Sequence, residues 1–267
     1  MKPTLFLAGA LLLTSACGHM KKDQQDPKPT YSPTISFTQG EAKYQATMKI
    51  PKNMKDKVPL VVIVPEWWGR NAYIEHRAQM LQDAGYAALA VDVYGNDKSV
   101  ETPDKAQALA TPFYQNPQMG VDLLDKYITE AKKDPHVDAS QVYVIGYCFG
   151  GTQALNYARS GADVAGVVSF HGGLESSLKS HGIKARVLAI SGLADPMVPP
   201  KQRSAFEKEM KGLKADYKMI NYKGATHAFT NPNATAIGKK YNIPIAYNKA
   251  ADEGSWNDLM KFLKNGK

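Results

Sequence analysis

The residue that first invites a chemical reading is Cys148, one of only two cysteines in the 267-residue chain, the other being Cys17. It sits in Gly146-Tyr147-Cys148-Phe149-Gly150-Gly151, between an apolar run and a stretch of helical character. A G-x-S-x-G elbow presents its nucleophile on a turn too sharp for neighbouring side chains, which is why glycines flank it. Here a thiol stands where the hydroxyl would be. The helix that follows begins at the nucleophile, and the positive end of a helix favours thiolate over thiol. The bland alternative is a buried structural cysteine in a Gly-rich turn, and these residues alone do not separate the two.

A thiol nucleophile needs a base, and the base needs a group that orients it. The expected chain order for an elbow of this kind is nucleophile, acid, base. Asp195 follows an apolar run in Ser191-Gly192-Leu193-Ala194-Asp195-Pro196-Met197-Val198-Pro199. That places it in a turn at a strand's carboxyl end, where open α/β sheets bind ligands. An Asp there can also serve purely as a turn former. His227 lies beyond the next strand, in Gly224-Ala225-Thr226-His227-Ala228-Phe229. Of the other histidines, His19 lies in a polar N-terminal stretch and His136 comes too early in the order. His171 follows the wrong strand but ends near the same sheet edge, where it could line a pocket; His76 and His181 complete the set. Cys148, Asp195 and His227 are therefore the candidate catalytic set. No ligand spacing such as H-E-x-x-H occurs, and a single domain thiol excludes a Cys-rich zinc site, so neither metal nor cofactor is called for.

The elements that must position these groups are legible as alternating apolar runs and amphipathic stretches. Residues 34–50 suggest a hairpin around Gly40. Val58 to Val64 is a β-branched run suited to a strand buried on both faces. A loop Pro65-Glu66-Trp67-Trp68-Gly69 follows, then a helix over 72–84 stopped by Gly85, and a strand from Tyr86 to Val93. Helices are predicted over 103–111 and 118–133, a strand over 141–146, and a helix from Phe149 to Arg159. Further strands cover 164–170, 186–191 and 217–222, with helices over 201–213 and 245–264. Strands alternating with helices imply a mostly parallel central sheet with helices on both faces, an α/β fold. There is no internal repeat and no low-complexity segment.

Composition is that of an ordinary globular protein, 43% apolar and 22% charged, long enough to bury a sizeable core. The net charge of +8 comes from scattered lysines, with no basic run longer than two and no nucleic-acid motif, so nucleic acid is not an expected partner. Residues 1–17 read as an export signal: Met1-Lys2, an apolar stretch from Leu5 to Ala16 too short to span a bilayer, then Leu13-Thr14-Ser15-Ala16-Cys17. This resembles a bacterial lipoprotein signal in which Cys17 receives lipid, although Thr14 stands where Leu is usual. A plain secretory signal, giving a soluble periplasmic or secreted protein, is the alternative. Residues 18–33 are polar and Pro-rich and read as a tether, with residues 34–267 as the folded domain. Membrane contact through the N-terminal lipid alone, on the periplasmic side, and a monomeric state are the expectations.

Taken together, these segments resemble the dienelactone hydrolase family, a branch of the α/β-hydrolases with a cysteine nucleophile. The resemblance runs from about Thr34 to Leu263 and includes Pro65-Glu66-Trp67-Trp68-Gly69, Asp83-Ala84-Gly85-Tyr86 through Tyr94, and the three segments above. It implies an α/β-hydrolase fold and hydrolysis of a small ester or lactone through a thioester. It implies oxyanion-hole amides from Trp67 and Phe149. It also implies that Glu66 contacts the resting thiol and gates it; a surface loop residue is the alternative reading of Glu66. Trp67 and Trp68 read as a pocket wall or as core. The family's carboxylate-binding arginines have no counterpart, since no Arg lies between Arg77 and Arg159 or after Arg203. Asn231 follows the His227 segment instead, and Lys98, Lys105, Lys239 and Lys240 are the cations available as substitutes. A thioesterase or acyltransferase, and a non-catalytic binding protein on the same fold, are the competing functions.

Overall fold

The structure, a computed structural model, describes Met1 and residues 31–52, 54–180 and 182–265. The export signal with Cys17, most of the tether, His19 and His181 lie outside the described residues. The core of the fold is an eight-stranded sheet in the order β1-β2-β4-β3-β5-β6-β7-β8. Strands β1 (Thr34–Gln39) and β2 (Ala42–Lys49) form the expected antiparallel hairpin, and β2 also pairs antiparallel with β4 (Ala87–Ala90). Strands β3 (Val58–Val64), β5 (Val137–Tyr147), β6 (Gly166–Phe170), β7 (Arg186–Gly192) and β8 (Tyr217–Tyr222) run parallel beside it.

Side chains alternate across a strand, so β3 feeds two cores at once. Leu60, Val62 and Val64 join the apolar layer that packs against α2 (Pro103–Gln115), α3 (Gln118–Ala131), α4 (Phe149–Arg159) and α5 (Pro200–Gly212). Val61 and Ile63 join the opposite layer, against α1 (Ala72–Asp83) and α7 (Lys249–Lys264). Every residue of α4 is buried, so the helix that follows Cys148 is held on all sides. Parallel β3, β5, β6, β7 and β8 all deliver their following loops to one edge of the sheet, and there the candidate residues converge.

The structure departs from the sequence expectation in several places, and β5 begins at Val137 rather than at residue 141 and β6 at Gly166 rather than at residue 164. Strand β4 stops at Ala90 rather than Val93 because the buried Asp92 carboxylate accepts from the amides of Tyr94, Gly95 and Asp97, folding that stretch into a loop. Helix α2 continues to Gln115 through Pro112. A helix not foreseen, α6 (Ala234–Tyr241), follows the His227 loop; it is short, contains Gly238 and lacks a long apolar period. The last helix begins at Lys249, capped by Asn248, rather than at residue 245. Ile245 instead bridges to His227. Among the described residues no helix is long and apolar enough to cross a membrane.

Candidate active site

The elbow is built by steric necessity. A Cβ on Gly146 would lie 2.0 Å from the Gly150 carbonyl oxygen, and one on Gly150 would lie 2.2 Å from that of Val64. Cys148 itself adopts φ 53°, ψ −118°, a conformation L-residues rarely hold. Such strain costs on the order of 1–3 kcal/mol and persists only where the surroundings impose it. Here the Cys148 amide donates to the Phe170 carbonyl at 2.9 Å and to His171 Nδ1 at 3.1 Å.

The structure brings Cys148, His227 and Asp195 together. His227 Nε2 lies 3.0 Å from Cys148 Sγ, and His227 Nδ1 lies 2.8 Å from Asp195 Oδ2. The other Asp195 oxygen, Oδ1, accepts from the Met197 amide at 2.8 Å. Asp195 is thus both a turn former and the partner of the imidazole. The loops carrying Asp195 and His227 can touch because position 192 is glycine; a Cβ there would sit 2.3 Å from the Ala225 carbonyl oxygen. The His227 carbonyl accepts from the Ala246 amide at 3.2 Å, which pins the loop from the far side. Burial alone would push the His227 proton off, but the adjacent Cys148 and Asp195 reverse this and hold its pKa well above the usual range.

His171 is fully buried and does not line the cavity; it stands behind the elbow. Its Nδ1 accepts from Cys148, so the neutral ring carries its proton on Nε2, which lies 2.7 Å from Thr230 Oγ1. Thr230 Oγ1 lies 2.6 Å from the Tyr73 hydroxyl. Burial, and then the nearby His227 and Arg77, hold the His171 pKa well below the usual range. Its neutral state is what lets it accept a hydrogen bond. Neither Thr230 nor Tyr73 carries a sequence signal for this role, because the chain of bonds crosses three separate segments.

Glu66 is only 1% exposed, which excludes the surface-loop reading. Its Oε2 accepts from Asn231 Nδ2 at 2.7 Å, while the Cys148 thiol pairs with His227. Burial raises the Glu66 pKa to about 7, against the opposing pull of Asn231, His227 and Arg77. Among the described residues, the amides of Trp67 and Phe149 are taken up by no backbone carbonyl outside the regular elements. Phe149 is the first residue of α4, immediately after Cys148, and Trp67 follows Glu66 in the loop after β3. The Trp67 and Trp68 rings meet edge to face at 5.1 Å, and both face the cavity.

That cavity has a volume of about 380 Å³. Cys148, His227 and Glu66 open into it, and Tyr114, Phe149, Met197, Ile243 and Ile245 supply apolar wall. None of the lysines that could substitute for arginine lines it; Lys240 borders a separate cavity on the far side of Trp68. Among the described residues there is no group of three or more side chains placed to hold a metal ion.

Comparison with known proteins places these features in context. A model of the dienelactone hydrolase family matches residues 44–266. Carboxymethylenebutenolidase of Pseudomonas putida is 29% identical over 189 residues, covering 68% of this chain and 79% of that one. A probable 2-oxo-3-(5-oxofuran-2-ylidene)propanoate lactonase of Bradyrhizobium is 27% identical over 222 residues, covering 78% of this chain and 84% of that one. Among solved structures, a dienelactone hydrolase-like promiscuous phosphotriesterase from metagenomic libraries superposes with a TM-score of 0.81 at 28% identity, covering 88% of this chain and 98% of that one.

Proposed function

Because the chain belongs to the dienelactone hydrolase family, and is with it a hydrolase of the ester and lactone type, we propose that Cys148 is the nucleophile, His227 the general base and Asp195 the residue that orients the base. The observation that carries this reading is the imidazole bridging Cys148 Sγ at 3.0 Å and Asp195 Oδ2 at 2.8 Å, at the wall of a cavity.

In this mechanism His227 accepts the thiol proton and the sulfur attacks the substrate carbonyl carbon. The carbonyl oxygen becomes an oxyanion, and the Trp67 and Phe149 amides donate to it; one such donor contributes on the order of 10²–10³ in rate. The intermediate collapses by breaking the bond to the alkoxy oxygen, and His227 returns its proton to that oxygen. A thioester on Cys148 remains. Water, deprotonated by His227, attacks the thioester carbonyl, and breakage of the carbon–sulfur bond releases the acid and restores the thiol. With a lactone the alcohol and acid stay in one molecule. Glu66, held by the Asn231 amide, forms the polar corner of the pocket; the thiol pairs with His227 and not with Glu66, so the gating role would require the carboxyl to move onto the thiol. For the N-terminal region, the Leu13–Cys17 pattern supports export and a lipid on Cys17, with residues 18–33 as a tether; Cys17→Ser would then release the protein from membranes.

Hydrolysis of p-nitrophenyl acetate tests the reading. Turnover abolished by iodoacetamide and by Cys148→Ala, with an unchanged thermal transition, is the expected result. Full activity in Cys148→Ala would sink the proposal. Stoichiometric ligand binding without turnover in the wild type would favour a binding protein.

A further inference from the structure

The charge of the substrate is written into the cavity wall. Among the described residues no lysine or arginine lines the cavity in front of Cys148; its two carboxylic acids are Glu66, buried beside Asn231, and Glu175. Glu175 is exposed and forms no ion pair among the described residues, so it stands free at the cavity's edge. The other polar side chains of the lining, Gln107, Thr152 and Gln202 among them, are neutral, and the Gln202 carbonyl oxygen is already taken by the Leu174 amide at 2.9 Å. Four aromatic residues line the same space, Trp67 and Tyr114 partly exposed and Trp68 and Phe149 buried behind them. Aromatic faces attract cations and aryl groups, and they repel carboxylates. An anionic substrate entering here would exchange water for apolar wall and carboxyls, and the cation it would meet, the His227 imidazolium, is already engaged by Asp195 and Cys148. The whole-chain charge of +8 would favour anions at long range, so this selection belongs to the cavity and not to the molecule as a whole.

We propose that this cavity takes esters with a positively charged or neutral apolar acyl group, rejects those bearing a carboxylate, and that Glu175 is a specificity-determining residue at its mouth. This rests on the hydrolase reading above. The class is the reverse of the free-carboxylate lactones for which an arginine-lined pocket would be suited.

Three p-nitrophenyl esters of matched acyl length test it: 4-(trimethylammonio)butyrate, butyrate and succinate. The leaving group is common to all three, so differences in kcat/KM report on the acyl pocket. The expected order is cation, then neutral, then anion, with succinate at least about tenfold below butyrate. Glu175 is solvated, so Glu175→Gln narrows the cation-to-anion ratio only a few-fold, and Glu175→Lys narrows it further, chiefly through KM. High salt acts on the Glu175 share in the same direction. Succinate hydrolysed as fast as butyrate, or a ratio unmoved by Glu175→Lys, overturns the charge selection while leaving the hydrolase intact. No turnover of any of the three by folded wild type overturns the hydrolase reading itself, and this proposal with it.

Discussion

Asp195→Asn is the substitution that discriminates most sharply among the proposed roles, because the structure dictates which way the new amide must face. Asp195 is 3% exposed and both of its oxygens are engaged, Oδ1 by the Met197 amide at 2.8 Å and Oδ2 by His227 Nδ1 at 2.8 Å. The Met197 N–H requires an acceptor. If the new amide oxygen stays there, its NH₂ faces His227 Nδ1, which must become an acceptor. The ring proton then moves to Nε2, the atom 3.0 Å from Cys148 Sγ, and the imidazole can no longer accept the thiol proton. If the amide flips instead, the tautomer is rescued but two buried donors oppose each other at Met197, at roughly 1–3 kcal/mol. In either orientation the imidazolium loses its carboxylate, and a hydrogen bond to a charged group contributes about 1.5–3 kcal/mol. Together these place the loss near 2.5–6 kcal/mol, or about 10²–10⁴ in kcat/KM. The assay is steady-state hydrolysis of a p-nitrophenyl ester, with a thermal melt to show that the variant is folded. A folded Asp195→Asn enzyme within tenfold of wild type would refute the orienting role.

Three further predictions follow from burial and close approach. Glu66 titrates near 7 when folded and near its ordinary 4.5 when unfolded, so the folded state holds the proton more tightly and stability falls as pH rises between those values. Glu66→Gln keeps an acceptor for Asn231 and removes that fall, so denaturant melts should show it about 3 kcal/mol more stable than wild type near pH 8 and no more stable near pH 4. Glu209 pairs both oxygens with the buried Arg159, at 2.8 and 2.7 Å, so Glu209→Ala strands the guanidinium and should lower stability by about 3 kcal/mol in urea unfolding. Gly150→Ala would drive a Cβ to 2.2 Å from the Val64 carbonyl oxygen, and should yield either insoluble protein or an enzyme with a lowered thermal transition and at least about tenfold lower turnover.

How much of this was readable in advance differs by kind of residue. Elements with a strong apolar run and long-range burial, such as β3 and β7, follow from the sequence because the hydrophobic pattern is itself the burial pattern. Where polar groups rather than apolar ones end an element, the pattern is silent. Asp92 terminates β4 by binding three amides, and nothing in its neighbours announces that. Helix α6 is held by contacts around Gly238, whose Cβ position would lie 2.3 Å from the Ile245 carbonyl oxygen, a proximity no local pattern encodes.

The site divides along the same line. Cys148, Asp195 and His227 were identifiable from the sequence as candidates because each stands in a loop after a strand, and a parallel sheet carries all such loops to one edge. Their type and order specify a chemistry, and that much is local information. What faces what is not local. The Cys148–His227–Asp195 contacts, the His171–Thr230–Tyr73 bonds behind the elbow and the Asn231 amide on Glu66 each join segments far apart in the chain. Missing arginines were visible in the sequence, but whether lysines replace them was a question of direction in space. Only the packed fold, which places none of those lysines along the cavity and puts Glu66 and Glu175 there, decided which charges line the pocket.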